Sequence, residues 1–132
     1  MTSFSVRTEA RRQLVDITDR VSASCPKGDG ALLLSVPHTT AALTLNEGYD
    51  PDVALDIRDA LERLSPAELP RRHAEGNADA HVLASVLGST LLVPCSRGPE
   101  LGRWQRIFLV ELDGPRTRRV EVRYLPGEVV DG

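Results

Sequence analysis

Ala31-Leu-Leu-Leu-Ser-Val36, His38-Thr-Thr40, Ala41-Ala-Leu-Thr-Leu-Asn46 and Asp50-Pro-Asp52 follow one another within twenty-two residues. They read as a buried strand, a polar turn, a second strand and the start of a helix. An apolar run of four to eight residues between turn signals is strand-like. Asp50 is suited to the N-cap, Pro51 to the first helical position, and Asp52 to the positive end of the helix dipole. Val53, Ile57, Ala60, Leu61 and Leu64 then recur with helical period until Ser65-Pro66 stops the run.

Working outward, Phe4 to Ile17 alternates weakly and is expected to form a strand pair. Asp16 to Ser24 reads as a short helix ended by Pro26 and the Lys27-Gly-Asp-Gly30 turn. Asn77 to Leu87 reads as a further helix, with Val82, Val86 and Leu87 expected to face inward and Gly88 closing it. Leu91–Cys95, Trp104–Leu112 and Arg118–Leu125 complete the strands, with Asp113-Gly114 expected to join the last two as a hairpin. Interspersed strands and helices, with several strands antiparallel, indicate an α+β fold built on a layered or sandwich sheet.

The chain has 132 residues, 41% hydrophobic and 27% charged, which suits a single soluble domain spanning 1–132. A net charge of −3 argues against a nucleic-acid partner. The run Arg116-Thr-Arg-Arg-Val-Glu-Val-Arg123 reads as the solvent face of a strand. Cys25 and Cys95 match no CxxC spacing. The opening residues carry no apolar signal region and no segment approaches the length of a membrane span, so a cytoplasmic protein with no membrane partner is expected. GxSxG, P-loop and GxGxxG motifs are absent, and Cys95, in an apolar run, reads as packing rather than attacking.

All three histidines lie in or beside two polar stretches, His38 to Glu47 and Arg72 to His81. Imidazole both ligates metals and moves protons near neutral pH. His38 either bonds a carbonyl or acts at a sheet edge, and Thr39 follows it in the turn. His73 and His81 bracket Gly76, whose freedom to turn lets the rings converge. Three histidines suit an open zinc-type site, and equally a phosphate site. Asn77 and Asp79 either cap the following helix or orient an imidazole. Glu47, beside Asn46, is a candidate general base, with Glu75 competing for that role. Trp104, before Gln105, reads as core or as the wall of a ring-binding pocket.

His38-Thr-Thr-Ala, Leu43-Thr-Leu-Asn-Glu47, Asp50-Pro51, Arg72-His73, Glu75-Gly-Asn-Ala-Asp-Ala-His81, Ala84-Ser-Val-Leu-Gly88, Leu101-Gly102, Trp104-Gln105 and Asp113-Gly-Pro-Arg116 occur in this order along nearly the whole chain. This ordered set resembles the YjbQ (UPF0047) family. Arg103, where the pattern has Thr, and Cys95-Ser-Arg97 depart from it at the pocket rim. The resemblance implies a seven-stranded β-sandwich with helical insertions, trimerising about a threefold axis. It also implies a secondary thiamine-phosphate synthase activity, joining a pyrimidine methyl diphosphate to a thiazole phosphate with release of pyrophosphate. Joined to the residues, it places His38, His73 and His81 at the reacting centre, directly or through a divalent metal such as zinc or magnesium. Glu47 and Asp79 would orient them or handle protons. Thr39, Asn46, Glu75, Asn77, Trp104 and Gln105 would contact the small phosphorylated metabolite, and Arg71, Arg72 and Arg116 would clamp its phosphates. A trimeric metal- or metabolite-binding protein without turnover and a metal-dependent hydrolase are the alternatives.

Overall fold

The structure is a computed structural model and describes residues 1–68 and 72–130. In chain order the elements are β1 (Thr2–Arg7), β2 (Gln13–Asp16), α1 (Thr18–Ala23), β3 (Gly30–Ser35), β4 (Ala41–Glu47), α2 (Pro51–Leu64), α3 (Ala78–Leu87), β5 (Thr90–Cys95), β6 (Gln105–Glu111) and β7 (Thr117–Pro126). The seven strands among the described residues form two antiparallel sheets, β1-β7-β3-β5 and β2-β6-β4. No described helix is long and apolar enough to cross a membrane.

The alternation of side chains along each strand divides the core in two. Leu43, Ile107 and Leu109 of the three-stranded sheet meet Leu32, Leu34, Val93, Val120 and Val122 of the four-stranded sheet. On the opposite face of the three-stranded sheet, Ala42 and Val110 meet Leu61 of α2 and Ala80 and Leu83 of α3. Ile107 to Val110 is therefore buried on both faces, which explains why that strand is continuously apolar. The α+β expectation holds, with α2 and α3 layered on one side of a pair of sheets and Val21 of α1 packed into the core between them.

The N-terminus of α2 forms as the sequence indicates, with Asp50 Oδ1 accepting the Asp52 N–H at 2.9 Å and Pro51 at the first helical position. Gly88 ends α3 at φ +97°, a conformation that side chains disfavour, and its N–H returns to the Ala84 carbonyl. Cys25 and Cys95 are free thiols, and burial, with Cys25 beside it, pushes the Cys95 thiol up to about 11. Cys95 is thus a packing residue, not a nucleophile.

Three expectations are corrected. The opening segment is not a strand pair, because β1 joins β7 in one sheet and β2 joins β6 in the other. Asp113-Gly114 is not a hairpin, because β6 and β7 belong to different sheets. That segment crosses between them so closely packed that a Cβ on Gly114 would lie 2.5 Å from the Ala10 carbonyl oxygen. The inward face of α3 is Asp79, Ala80 and Leu83, with Leu87 packed on the same core as expected, while Val82 and Val86 are 49% and 72% exposed. Asp79 sets that rotation: its carboxylate is drawn inside by Arg12 and by Arg11 at 3.0 Å. A buried carboxylate is tolerated only with partners of this kind.

The crossing from β6 to β7 is held by a second buried ion pair. Glu111 accepts from Arg118 Nε and Thr8 Oγ1, each at 2.8 Å, and from the Asp113 N–H at 3.0 Å. Arg118 Nη2 continues to the carbonyl and hydroxyl oxygens of Thr40, both at 2.9 Å. This corrects the reading of residues 116–123 as a solvent face, since Arg118 is buried beside Val120 and Val122. Burial raises the Glu111 pKa, but the hydrogen bonds from Arg118, the Asp113 N–H and Thr8 outweigh it and hold the carboxyl below its ordinary value.

Breaking a buried pair by removing one partner typically costs about 3–5 kcal/mol. Arg118→Met is expected to lower stability by roughly that amount in urea denaturation, and Arg119→Met, on the exposed face, by about 0.5 kcal/mol or less. The lowered Glu111 pKa gives a stabilising contribution that is present above the ordinary glutamate value and lost as pH falls toward the folded-state value. The part of the urea midpoint that depends on Glu111, read as the difference between wild type and Arg118→Met, is therefore expected to be level above about pH 5 and to fall progressively below about pH 4.3.

Candidate functional site

Three segments meet at one end of the sheets. They are the turn between β3 and β4, the approach to α3, and the crossing from β6 to β7. Together they line a cleft of about 350 Å³ that includes His38, Thr39, Glu75, Asn77, His81, Arg116 and Arg118. His81 also borders two adjoining depressions, one shared with His38 and the other with His73 and Glu75. The His73 and His81 rings meet edge to face, with centroids 5.3 Å apart. His38 and His81, 43 positions apart in the chain, thus meet at one cleft, and His73 joins them through the His81 ring.

Each segment is positioned by a specific bond. Arg118 grips Thr40 at the end of the β3–β4 turn. The backbone N–H of Arg119 donates to His38 Nε2 at 2.8 Å. Burial, then the charge of Arg118, lowers the His38 pKa, so the ring is neutral at pH 7. Asn77 occupies the N-cap of α3 yet makes no side-chain cap bond. Instead its Nδ2 donates to Asp113 Oδ2 at 2.8 Å, and its Oδ1 lies 2.7 Å from His73 Nε2. Asp113 also accepts from Arg116 Nη2 at 2.9 Å, while its carbonyl takes Arg116 Nε at 2.7 Å. Burial raises the Asp113 pKa, but Asn77 and Arg116 outweigh it and keep the group ionised.

Of the residues singled out from sequence, His38, Thr39, His73, Glu75, Asn77 and His81 come together. Asp79 does not join them, because its carboxylate is buried on Arg11 and Arg12. Asn46, Glu47, Trp104 and Gln105 lie at the other end of the three-stranded sheet. Asn46 pairs with Arg106 and Glu47 with Gln105, and the seven residues of β4 span about 20 Å from Ala41 to Glu47. There Trp104 packs on Tyr49 at 4.7 Å and under the Arg103 guanidinium at 4.5 Å. Glu47 lines a separate groove of about 440 Å³ floored by Leu14, Leu55 and Phe108. Arg72 is exposed near His73, and Arg71 lies outside the described residues.

Sequence reasoning missed Asp113, Arg118 and Thr40. The signal for Arg118 was its parity with Val120 and Val122, which puts it on the inward face of β7. Asp113 was absorbed into a turn motif. A metal shared by His38, His73 and His81 does not fit this geometry. Among the described residues no three His, Cys, Asp or Glu side chains are grouped to hold one ion, and His38 Nε2 is committed to the Arg119 N–H. The arrangement instead suits a polar or anionic ligand, held by imidazole and guanidinium N–H groups.

The family described as UPF0047 protein YjbQ-like matches residues 2–127. A UPF0047 protein of Archaeoglobus fulgidus is 43% identical over 125 residues, spanning 92% of this chain and 98% of the relative. The UPF0047 protein YugU of Bacillus subtilis is 38% identical over 128 residues, spanning 93% and 97%. The crystal structure of a conserved hypothetical protein from Thermus thermophilus superposes with a TM-score of 0.90 at 42% identity, covering 95% of this chain and all of that one. The two-sheet frame is thus shared with a solved structure, and the chain belongs to the YjbQ (UPF0047) family.

Proposed function

We propose that this chain is a secondary thiamine-phosphate synthase-like enzyme of the cytoplasm, acting on phosphorylated metabolites in the His38–His81 cleft. The observation that carries this reading is the meeting of His38, His81 and Arg116 on one cleft, with His73 in the adjoining depression against the His81 ring.

In the reaction, the bond between the pyrimidine methylene carbon and the diphosphate oxygen breaks, and both electrons leave with pyrophosphate. The thiazole ring nitrogen supplies the pair for the new carbon–nitrogen bond and becomes a cationic ring nitrogen. That nitrogen bears no proton to lose, so the chemistry asks mainly for stabilisation of the departing anion. His81 and Arg116 fit that task as donors at the cleft surface, each charge-assisted hydrogen bond contributing about 1.5–3 kcal/mol. Glu47, Trp104 and Gln105, about 20 Å along the sheet, are not assigned to the same cleft within one chain. A bound metal is not part of this reading.

The reading includes a trimer. Val82 and Val86 on α3, with Leu64 at the end of α2, expose apolar surface that such an assembly would cover. Sedimentation equilibrium is expected to return three times the 14.4 kDa chain mass. A monomer mass across the concentration range would remove this part of the proposal.

The activity is tested by thiamine phosphate formation from the two purified precursors. Wild type is expected to form product, and His81→Ala, at a half-exposed position, to lose it by about 100-fold or more while keeping its fold. Equal product from both, which would mark a contaminating synthase, or none from wild type, would overturn the reading. Pyrophosphate release with the thiazole partner omitted would point to hydrolysis instead.

A further inference from the structure

An amide side chain has a donating end and an accepting end, so a partner that only accepts fixes which way it faces. Asp113 is such a partner. Its Oδ2, which also takes Arg116 Nη2 at 2.9 Å, lies 2.8 Å from Asn77 Nδ2. The opposite end of Asn77 is then a carbonyl oxygen, 2.7 Å from His73 Nε2, and a carbonyl only accepts. His73 Nε2 therefore carries a hydrogen, and in the neutral ring its Nδ1 is bare. His38 is fixed the other way. Its Nε2 lies 2.8 Å from the Arg119 backbone N–H, which only donates, so Nε2 is bare and Nδ1 carries the hydrogen.

We propose that Asp113 is a positioning residue for the cleft: acting through Asn77, it locks His73 as the Nε2–H tautomer, opposite to the Nδ1–H tautomer that the Arg119 backbone imposes on His38. Asn77 supports this assignment by what it forgoes. It stands at the N-cap of α3, where its side chain would ordinarily satisfy a helix N–H, and its amide is turned to Asp113 and His73 instead. His38 at the cleft thus offers one imidazole N–H donor and His73, in the adjoining depression, one imidazole acceptor, with His81 bordering both and in edge contact with His73. Such a pair recognises a ligand that presents an unprotonated oxygen on one side and a proton donor on the other. A phosphate monoester or diphosphate flanked by a ring amine or hydroxyl has that form. This ligand class rests on the proposed synthase reading, whereas the two tautomers follow from the hydrogen bonds alone.

Long-range nitrogen–proton correlation on the histidine-labelled protein at about pH 8, where ordinary histidine is neutral, reads each ring directly. The expected wild-type result is a protonated Nε2 and bare Nδ1 for His73, and the reverse for His38. Asp113→Ala is expected to release Asn77 and give His73 nitrogen signals averaged between the two tautomers, with His38 unchanged. Asn77→Leu, which removes the acceptor but keeps Asp113 and Arg116 paired, is expected to do the same. A wild-type His73 protonated on Nδ1, or an unaltered His73 tautomer in either folded variant, would overturn the proposal. The wild-type spectrum decides even where a variant fails to fold. No part of the measurement needs turnover, so failure of the synthase assay and failure of this assignment are separate results.

Discussion

A carboxylate with no solvent exposure, that of Glu111, organises the functional end of this protein. Taking such a group out of water costs several kcal/mol, which is offset only when its oxygens are met by well-placed donors. Here the donors come from separate parts of the chain: Thr8 after β1, Asp113 in the crossing, and Arg118 on β7. Arg118 then extends the network to Thr40. One buried charge therefore fixes how the chain passes from one sheet to the other. It also fixes where the His38 turn and the Asp113–Arg116 crossing stand relative to each other.

The helix signals and most strands were legible because they depend on local chemistry. Asp50-Pro51 caps α2 through a bond two residues away, and the run Ala31–Val36, most of it in β3, buries Leu32, Leu34 and Val36. The gathering of the histidines was legible too, since His73 and His81 are joined by a short turn and His38 sits at a strand end. What escaped was set by partners distant in sequence. The Asp113-Gly114 pair carries a hairpin signal, yet Glu111 and Arg118, seven residues apart, are pulled together across the sheets and divert the chain. Likewise, Val82 and Val86 read as core by hydrophobicity, but the bond of Asp79 to Arg11 and Arg12, 68 and 67 positions away, turns α3 so that they face outward.

The proximity of Glu47 to His38 in the chain was misleading for a geometric reason. An extended strand advances about 3.3 Å per residue, so nine positions that include β4 carry Glu47 to the far end of the sheet. A helix of the same length would have kept them much closer. The sheet thus has two polar ends, one with the histidines and one with Trp104, Tyr49 and Glu47. At the histidine end the rings are held by groups of fixed character, a backbone N–H on His38 and an amide oxygen on His73. Such groups orient a side chain without adding net charge, so the cleft keeps its capacity to attract an anion.

The central claim is that the histidine end, and not the Trp104 end, receives the phosphorylated ligand. The most direct measurement is NMR titration of the labelled protein with inorganic pyrophosphate, following the imidazole signals of His38, His73 and His81 beside the indole signal of Trp104. The account predicts saturable shifts at the histidines with the indole unmoved. Shifts confined to Trp104, or none at the histidines up to millimolar pyrophosphate, would contradict it.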